Sequence, residues 1–285
     1  METVLKSKTK EVTIGSDRPF VIIGEKINPT GHKKLAAALQ EGNLDYVREL
    51  AQRQVAWGAD VLDVNVGVPG LDEVGIIPLV VSLVAEVADV PMCLDSANPE
   101  VLAAGLAAAP GKPLVNSVSG EQKRLESVLP LVKDRGAAVI GLTMDDNGIP
   151  QTAEERVAIA EKILERAAKL GIPADDVIID PLVLTVGSDS KAALVTLTTI
   201  ALIHQALGVN INLGASNVSF GLPERPVINA TFLAMAIHAG ATCSITDPVK
   251  LGATIRASDL LLGRDEYAMR YIKYYRKTEA LKAAA

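Results

Sequence analysis

Short apolar runs along this sequence end repeatedly in residues with carboxylate, amide or hydroxyl side chains. In chain order, the residues at these ends are Glu25 and Asn28, Asp63 and Asn65, Asp95, Ser96 and Asn98, Asn116 and Ser117, Thr143 (followed by the thioether of Met144), Asp180, Ser216 and Asn217, and Asp247. Each could act only as the cap of a following helix, a role that Asp, Asn and Ser often fill. Together, however, they form a set with almost no His, Lys or Cys, which is poorly suited to nucleophilic or metal catalysis.

Carboxylates and amides are well suited to recognising the edge of a polar heterocycle. A pterin ring, for example, has an amino-pyrimidinone edge rich in N–H donors. Aspartate oxygens accept hydrogen bonds from such donors, while asparagine amides serve positions that mix donors and acceptors. The residue types therefore favour a site that binds and aligns a ring, provided that the fold brings the run ends together.

The elements that would bring these residues together alternate along the chain. Apolar β-branched runs alternate with segments of helical period eight times between residues 20 and 263. We predict strands at 20–27, 61–66, 91–94, 114–118, 138–143, 177–179, 211–214 and 243–246. We predict helices at 44–57, 71–88, 99–108, 121–134, 153–170, 191–207, 226–239 and 249–262.

Eight strand–helix units predict a single-domain (β/α)8 barrel of the TIM type, with a doubly wound open sheet as the alternative. In such a barrel the active site lies at the carboxyl ends of the strands, where the polar residues occur. Residues 1–19 would be an N-terminal extension that could form a lid over the bottom of the barrel. Residues 20–265 would form the barrel, and residues 266–285 a C-terminal helix or tail.

Composition excludes several classes of function. Of the 285 residues, 49% are apolar and 3% aromatic, which suits buried parallel strands and does not suit base stacking. The net charge is −6 and the Lys and Arg residues are scattered, so we expect no nucleic acid partner. Cys93 and Cys243 lie far apart, so neither a disulfide nor a cysteine metal site is expected. The N-terminus lacks an apolar signal region and no stretch suits a bilayer, which predicts a cytoplasmic protein without membrane contact.

Eight motifs, in order along the chain, resemble those of a known family. They are GEKIN, ADVLDVNVG, CLDSAN, LVNSVSGE, AVIGLTMDDNGIP, IIDPLVL, GASNVSFGLPERPVINATFLAMA and SITDP. Over residues 20–263 the chain resembles the methyltetrahydrofolate:corrinoid protein methyltransferases, which belong to a wider group of pterin-binding barrels. The resemblance implies a homodimeric (β/α)8 barrel that moves a methyl group between N5 of tetrahydrofolate and the cobalt of a separate corrinoid protein.

The resemblance also implies the cofactors and partners. Tetrahydrofolate or 5-methyltetrahydrofolate would be the small-molecule substrate. The partner protein would carry the cobalamin or other corrinoid, and the barrel would need no metal of its own. The direction of transfer stays open, because the same barrel serves methyl donation by methyltetrahydrofolate and methyl capture by tetrahydrofolate.

Roles for individual residues follow from the same resemblance, motif by motif. It implies that Asp95, Asn116, Asp180 and Asn217 bind the pterin, with Asn217 near the reactive N5. Matching positions with weaker support are Glu25, Asn28, Asp63, Asn65, Ser216, Arg225 and Asn229. Methyl transfer passes through a positively charged N5, so we expect Asn217 to stabilise that charge while Asp95 and Asp180 hold the ring. Asp63 could instead support a loop, and Arg225 could pair with the neighbouring Glu224 or anchor the next helix.

Three other functions stay open. Dihydropteroate synthase shares this type of barrel but binds a pyrophosphate leaving group with basic side chains, whereas the corresponding loop here reads SNVSFG. A folate-binding subunit without turnover would need the pocket alone. An aldolase-like barrel would need a Schiff-base lysine or metal ligands, and the only lysine near a strand end is Lys26. Of the three histidines, His32 could face the partner, while His204 and His238 are expected to be structural.

Overall fold

A computed structural model describes residues 1–283 of the chain. Within these residues the chain forms nine β-strands and ten α-helices. The strands are β1 (Glu2–Lys6), β2 (Glu11–Gly15), β3 (Val21–Ile27), β4 (Val61–Val64), β5 (Met92–Asp95), β6 (Leu114–Ser119), β7 (Ala138–Leu142), β8 (Val177–Asp180) and β9 (Cys243–Thr246). The helices are α1 (Lys33–Gln40), α2 (Asp45–Ala56), α3 (Glu73–Val87), α4 (Pro99–Ala108), α5 (Gln122–Arg135), α6 (Ala153–Lys169), α7 (Ala192–Ala206), α8 (Arg225–Ala239), α9 (Pro248–Leu261) and α10 (Met269–Ala283).

Seven of the strands form one parallel sheet in the order β8-β7-β6-β5-β4-β3-β9. Residues 210–214 run between its two edge strands. The amide of Asn212 donates to Ile179 O of β8 at 2.9 Å, and the amide of Ile245 in β9 donates to Leu213 O at 2.9 Å. These bonds join both edges, so the sheet closes into the predicted (β/α)8 barrel.

The prediction of a regular strand at 211–214 is wrong. This segment makes only isolated bridges to its two neighbours. The reason is Thr242, whose Oγ1 accepts from the amide of Ile211 at 2.9 Å in place of a backbone carbonyl. The carbonyl of Ile211 in turn accepts from the amides of both Thr242 and Cys243, at 3.0 and 3.1 Å. This sharing interrupts the ladder but keeps the segment in the eighth position of the barrel.

All eight predicted helices are present. Each end lies within two residues of its predicted position, as is usual for helix ends. Helix α1 was not predicted; it buries Leu35, Ala38 and Leu39. Where a frayed helix or tail was expected, α10 is regular as far as Ala283. It is held because Tyr274 packs over Gly252, where any side chain would meet the tyrosine hydroxyl. Residues 284 and 285 of the predicted tail lie outside the described residues.

An antiparallel hairpin of β1 and β2 packs against the end of the barrel where the strands begin. Leu5 and Ile14 of the hairpin are fully buried in a cluster with inward-facing strand residues. Asn210, which precedes the eighth barrel segment, donates from Nδ2 to Thr3 Oγ1 at 2.9 Å and to Ile14 O at 3.0 Å. The bottom of the barrel is therefore closed by apolar contact and buried hydrogen bonds.

Side chains alternate between the inside and outside of the barrel along each strand, as strand geometry requires. The inner cluster takes one or two residues from each strand of the parallel sheet, including Val61, Cys93, Leu114 and Ile178. The residues two positions later point inward one level higher, and these are Asp63, Asp95, Asn116 and Asp180. A buried apolar cluster thus lies beneath a polar layer at the carboxyl ends of the strands. None of the helices among residues 1–283 has the length and apolar character needed to cross a membrane.

Candidate active site

A cavity of about 560 Å³ opens at the carboxyl ends of the barrel strands. Seven of the predicted site residues line it, and they are Glu25, Asn28, Asp63, Asp95, Asn116, Ser216 and Asn217. Lys26, His32 and Ile245 complete much of the remaining wall. Six of the lining residues therefore carry a carboxylate or an amide, the residue types that recur at the predicted strand ends.

Asp95 is held by two asparagines that the chain orients locally. Asn65 Nδ2 donates to Asp95 Oδ2 at 2.9 Å, and Asn28 Nδ2 approaches the same oxygen at 3.5 Å. Each asparagine fixes its own amide by accepting, through Oδ1, from the backbone N–H two residues later, that of Thr30 or Gly67. Within residues 1–283 nothing donates to Oδ1 of Asp95, so that oxygen is available to a ligand. Burial raises the pKa of Asp95.

Asp63 lies beside Asp95 and is 1% exposed. Asn116 Nδ2 donates to its Oδ1 at 3.4 Å. Burial, and next the charge of Asp95, raise the pKa of Asp63 well above its ordinary value. The charge on one buried carboxyl disfavours ionisation of its neighbour, which explains the direction of the shift.

Asp180 forms a second buried centre in the same polar layer. It is 6% exposed and accepts from the amide of Leu182 at 2.9 Å and from Asn212 Nδ2 at 2.8 Å. Burial raises the pKa of Asp180 to about 6, although these hydrogen bonds oppose the rise. Asp180 does not line the cavity, so the structure does not place it among the predicted residues that do. Arg156 fixes the following loop by donating from Nη1 to Leu182 O at 2.9 Å.

Lys26, the lysine at the first strand end, is neutralised by its neighbours. Its Nζ lies 3.0 Å from Glu25 Oε1 and 3.0 Å from Asp247 Oδ2. Burial lowers the pKa of Lys26, but the two carboxylates outweigh burial and raise it overall. Two adjacent carboxylates stabilise the ammonium form of Lys26, which is a poor nucleophile for Schiff-base formation, and this argues against the aldolase-like alternative. Asp247 also accepts from the amide of Val249 and caps α9, so the capping interpretation holds for this residue.

Asn217 stands at the mouth of the cavity on the 3₁₀ turn Ala215–Ser219. Its side chain is exposed and makes no hydrogen bond within residues 1–283. Arg225 supports this turn, donating from Nη2 to Ser216 O at 2.8 Å and from Nε to Ser219 Oγ at 3.0 Å. Ser219 Oγ donates in turn to Asn229 Oδ1 at 2.6 Å. Arg225 therefore anchors the turn to α8, which is one of the two structural roles that the sequence analysis considered for this residue.

Comparison with known proteins identifies the family. Residues 24–247, which include the whole cavity wall, match the family model described as pterin binding enzyme. The methylcorrinoid:tetrahydrofolate methyltransferase of Eubacterium limosum is 32% identical over 267 residues, which cover 90% of this chain and 97% of that one. This chain belongs to the methyltetrahydrofolate:corrinoid methyltransferase family of pterin-binding enzymes. The methionine synthase of Mycobacterium tuberculosis is 30% identical over 263 residues, which cover 88% of this chain and 22% of that much longer one.

Solved structures of dihydropteroate synthases share the fold of this pterin-binding enzyme. The synthase of Yersinia pestis with a pterine-sulfa conjugate has a TM-score of 0.70 at 18% identity, covering 92% of this chain and 99% of that one. The synthase of Xanthomonas albilineans with 7,8-dihydropteroate has a TM-score of 0.70 at 21% identity, covering 91% and 98%. At such identities the likeness confirms the barrel fold and nothing beyond it.

Two residues of the polar layer have roles that the sequence analysis did not assign to them. Asn65 supports Asp95 and lines a neighbouring cavity of about 610 Å³ instead of the main one. Asn212, which holds Asp180, was missed because it lies inside an apolar run and not at its end. The available signal was the strand alternation, since Asn212 and Gly214 point to the same side and Gly214 lines the cavity.

Proposed function

We propose that the cavity binds the pterin ring of tetrahydrofolate and presents its N5 for methyl exchange with the cobalt of a corrinoid carried by a separate protein. The observation that carries this proposal is the polar layer of Asp95, Asn116 and Asn217 around one cavity, in a chain that matches a folate:corrinoid methyltransferase along almost its full length. The free Oδ1 of Asp95 would accept from the ring's N–H edge. The amide of Asn116 would serve a position that mixes donor and acceptor.

The chemistry places a positive charge on N5 in either direction. In methyl capture, the N5 lone pair forms the new N–C bond, the Co–C bond electrons stay on cobalt, and N5 becomes an ammonium that then loses its proton. In methyl donation, N5 is first protonated, Co(I) attacks the methyl carbon, and the N–C bond electrons remain on N5. Asn217 would accept from the charged N5–H through its amide oxygen, and Asp95 and Asp180 would favour that charge electrostatically.

The barrel would contribute binding and alignment, since the corrinoid supplies the reactive metal. The cavity mouth opens to the surface beside Asn217, where a partner's cofactor could approach. His32 lies on the same wall and its Nε2 is 3.1 Å from Tyr46 Oη, so it would face the partner from a fixed position. We also place the reaction in the cytoplasm, where the two unpaired cysteines would stay reduced.

A homodimer is the assembly that we propose for this chain. Three large apolar side chains on two adjacent helices are exposed: Leu194 of α7, at 63%, and Val227 and Met235 of α8, at 63% and 51%. Residues eight apart on a helix share one face, so Val227 and Met235 extend a single apolar strip beside α7. An exposed strip of this kind is typical of a protein interface.

The proposed function is tested by spectroscopy of cobalt under anaerobic conditions. Purified protein is mixed with methylcobalamin and tetrahydrofolate, or with cob(I)alamin and 5-methyltetrahydrofolate, and the cobalt spectrum is followed. We expect protein-dependent conversion in at least one direction, with 5-methyltetrahydrofolate formed or consumed in equal amount. Folate binding without transfer to or from any corrinoid protein would favour the binding-subunit alternative. Condensation of a pterin pyrophosphate with p-aminobenzoate would favour dihydropteroate synthase.

A further inference from the structure

A second cavity, of about 310 Å³, adjoins the first. The two cavities share Glu25, Lys26 and Ser216 as lining residues, so they lie side by side. The rim of the second cavity is formed by Arg225 at the start of α8 and Lys250 in the first turn of α9. A ligand bound in the first cavity therefore lies next to the second.

The second cavity carries an excess of positive charge in a protein whose net charge is −6. Of the described residues, Lys26, Arg225 and Lys250 line it against the carboxylates Glu25 and Asp247. Both carboxylates lie 3.0 Å from Lys26, which offsets one of their two negative charges, so the five side chains together carry a net charge of +1. Within residues 1–283, neither Nη1 of Arg225 nor Nζ of Lys250 makes a hydrogen bond or ion pair. The surplus is therefore available to an anion from outside the chain.

An unpaired buried hydroxyl in the wall points to a ligand as well. Thr246 lines the second cavity and is fully buried, yet its Oγ1 has no hydrogen-bond partner within residues 1–283. Leaving a buried hydroxyl unpaired costs free energy that a ligand acceptor would recover. Two free cationic donors and one free hydroxyl donor thus converge on the same space.

We propose that the second cavity binds the carboxylate end of the p-aminobenzoyl-glutamate tail of the folate, an assignment that presupposes the pterin in the first cavity. The tail ends in carboxylates, which guanidinium and ammonium groups bind through charge-assisted hydrogen bonds. Arg225 Nη1 and Lys250 Nζ donate to the carboxylate, and Thr246 Oγ1 donates to an acceptor deeper in the tail. Arg225 thereby links the tail to the turn that carries Asn217, because its other nitrogens hold that turn.

The test compares two ligands that differ only beyond the pterin. Binding constants for tetrahydrofolate and for 6-methyltetrahydropterin, which lacks the tail, are measured for the wild type, Lys250→Ala and Lys250→Gln. The matched control is Lys123→Ala, an exposed lysine in the first turn of α5 at the same end of the barrel. We expect the wild-type preference for tetrahydrofolate to fall about tenfold in both Lys250 variants and to be unchanged in the control.

Ionic strength gives a second readout without mutation. Raising salt to 0.5 M, a concentration at which surface charges are largely screened, should weaken wild-type binding of tetrahydrofolate but not of the tail-less pterin. An unchanged preference in both Lys250 variants, together with equal salt dependence of the two ligands, would overturn the assignment while leaving the pterin site intact. If the wild type binds neither ligand, the proposed function itself fails.

Discussion

Individual side chains divide the polar layer into groups that hold and groups that are free to bind. The Oδ1 atoms of Asn28 and Asn65 accept from backbone amides in their own turns, and their Nδ2 atoms donate to Asp95. Both asparagines therefore position that carboxylate. Asp95 keeps one oxygen free, and the Asn217 side chain is free among the described residues. Buried carboxyls with raised pKa values next to free amides are suited to a ring that gains and loses a proton.

The raised pKa of Asp180 predicts a pH dependence of stability. Its pKa is about 6 in the folded protein, against about 3.9 when unfolded, so the folded state holds the proton more tightly. Stability from this group is therefore greatest at low pH, falls as pH rises between these two values, and is level above them. Between pH 5 and 7.5 we expect Asp180 to cost about 1 kcal/mol.

Urea unfolding of the wild type and Asp180→Asn at several pH values checks this prediction. The variant should lose less stability than the wild type as pH rises from 5 to 7.5, whatever its absolute stability. The Asp63 and Asp95 contributions are common to both proteins and cancel in the comparison. Parallel pH profiles for the two proteins would contradict a raised pKa at Asp180.

At the residue scale, sequence reasoning works where a polar residue follows an apolar run and fails where local and tertiary roles compete. Asp63, Asp95 and Asn116 end their runs and line the cavity as predicted. Asn98 and Asp247 end runs too, but their side chains cap α4 and α9. Nothing in the sequence distinguishes the two outcomes, because the difference depends on which way the backbone turns after the strand.

Among the elements, the hairpin of β1 and β2 and the segment 210–214 are coupled through one buried residue. Asn210 is 2% exposed and donates to both strands of the hairpin. This contact lies at the end of the barrel opposite the cavity. The hairpin should therefore affect stability and not ligand binding.

Replacing Asn210 with alanine tests whether the hairpin affects stability without affecting ligand binding. We expect the free energy of unfolding to fall by about 2 kcal/mol or more, since two buried acceptors lose their donor. The dissociation constant for tetrahydrofolate should stay within twofold of the wild type. Urea unfolding and ligand titration measure the two quantities, with Asn147→Ala on an exposed loop as the control. A loss of folate affinity that matches the loss of stability would contradict the prediction that the hairpin does not affect ligand binding.

The order and extent of most elements could be predicted because helical and strand periods differ clearly in this sequence. The segment 211–214 could not, since a threonine hydroxyl replaces a ladder carbonyl there and only the folded chain brings the two together. Helix α1 has only eight residues and lies in the connection after the first barrel strand, where no separate helix was expected, so it was missed. The boundaries at 19 and 265 stay predictions, which limited proteolysis can test.

Considered as a whole molecule, the protein has the two adjoining cavities at one end of the barrel and the exposed apolar strip on the side formed by α7 and α8. The cavity mouth would therefore stay open in a dimer formed through this strip. Each subunit could then receive its own corrinoid partner.

The proposed dimer predicts a particle of twice the 29.9 kDa mass of one chain. Light scattering after size-exclusion chromatography measures the mass directly. Met235→Glu should produce monomers, because a carboxylate in an apolar interface is costly to bury. Leu79→Glu, at a 60% exposed position on α3, should leave the dimer intact. A monomeric wild type, or dissociation by both substitutions alike, would contradict the assigned interface.

The most direct test of the central claim is the single-turnover rate of methyl transfer by Asn217→Ala, measured with saturating folate and corrinoid. The account predicts a fall of about 100-fold or more relative to the wild type, since the variant loses the group that stabilises charge on N5. Asn147→Ala, an exposed asparagine at the same end of the barrel and outside the cavity, should react at the wild-type rate. Transfer by Asn217→Ala at the wild-type rate would show that N5 is stabilised elsewhere and would contradict the assigned site.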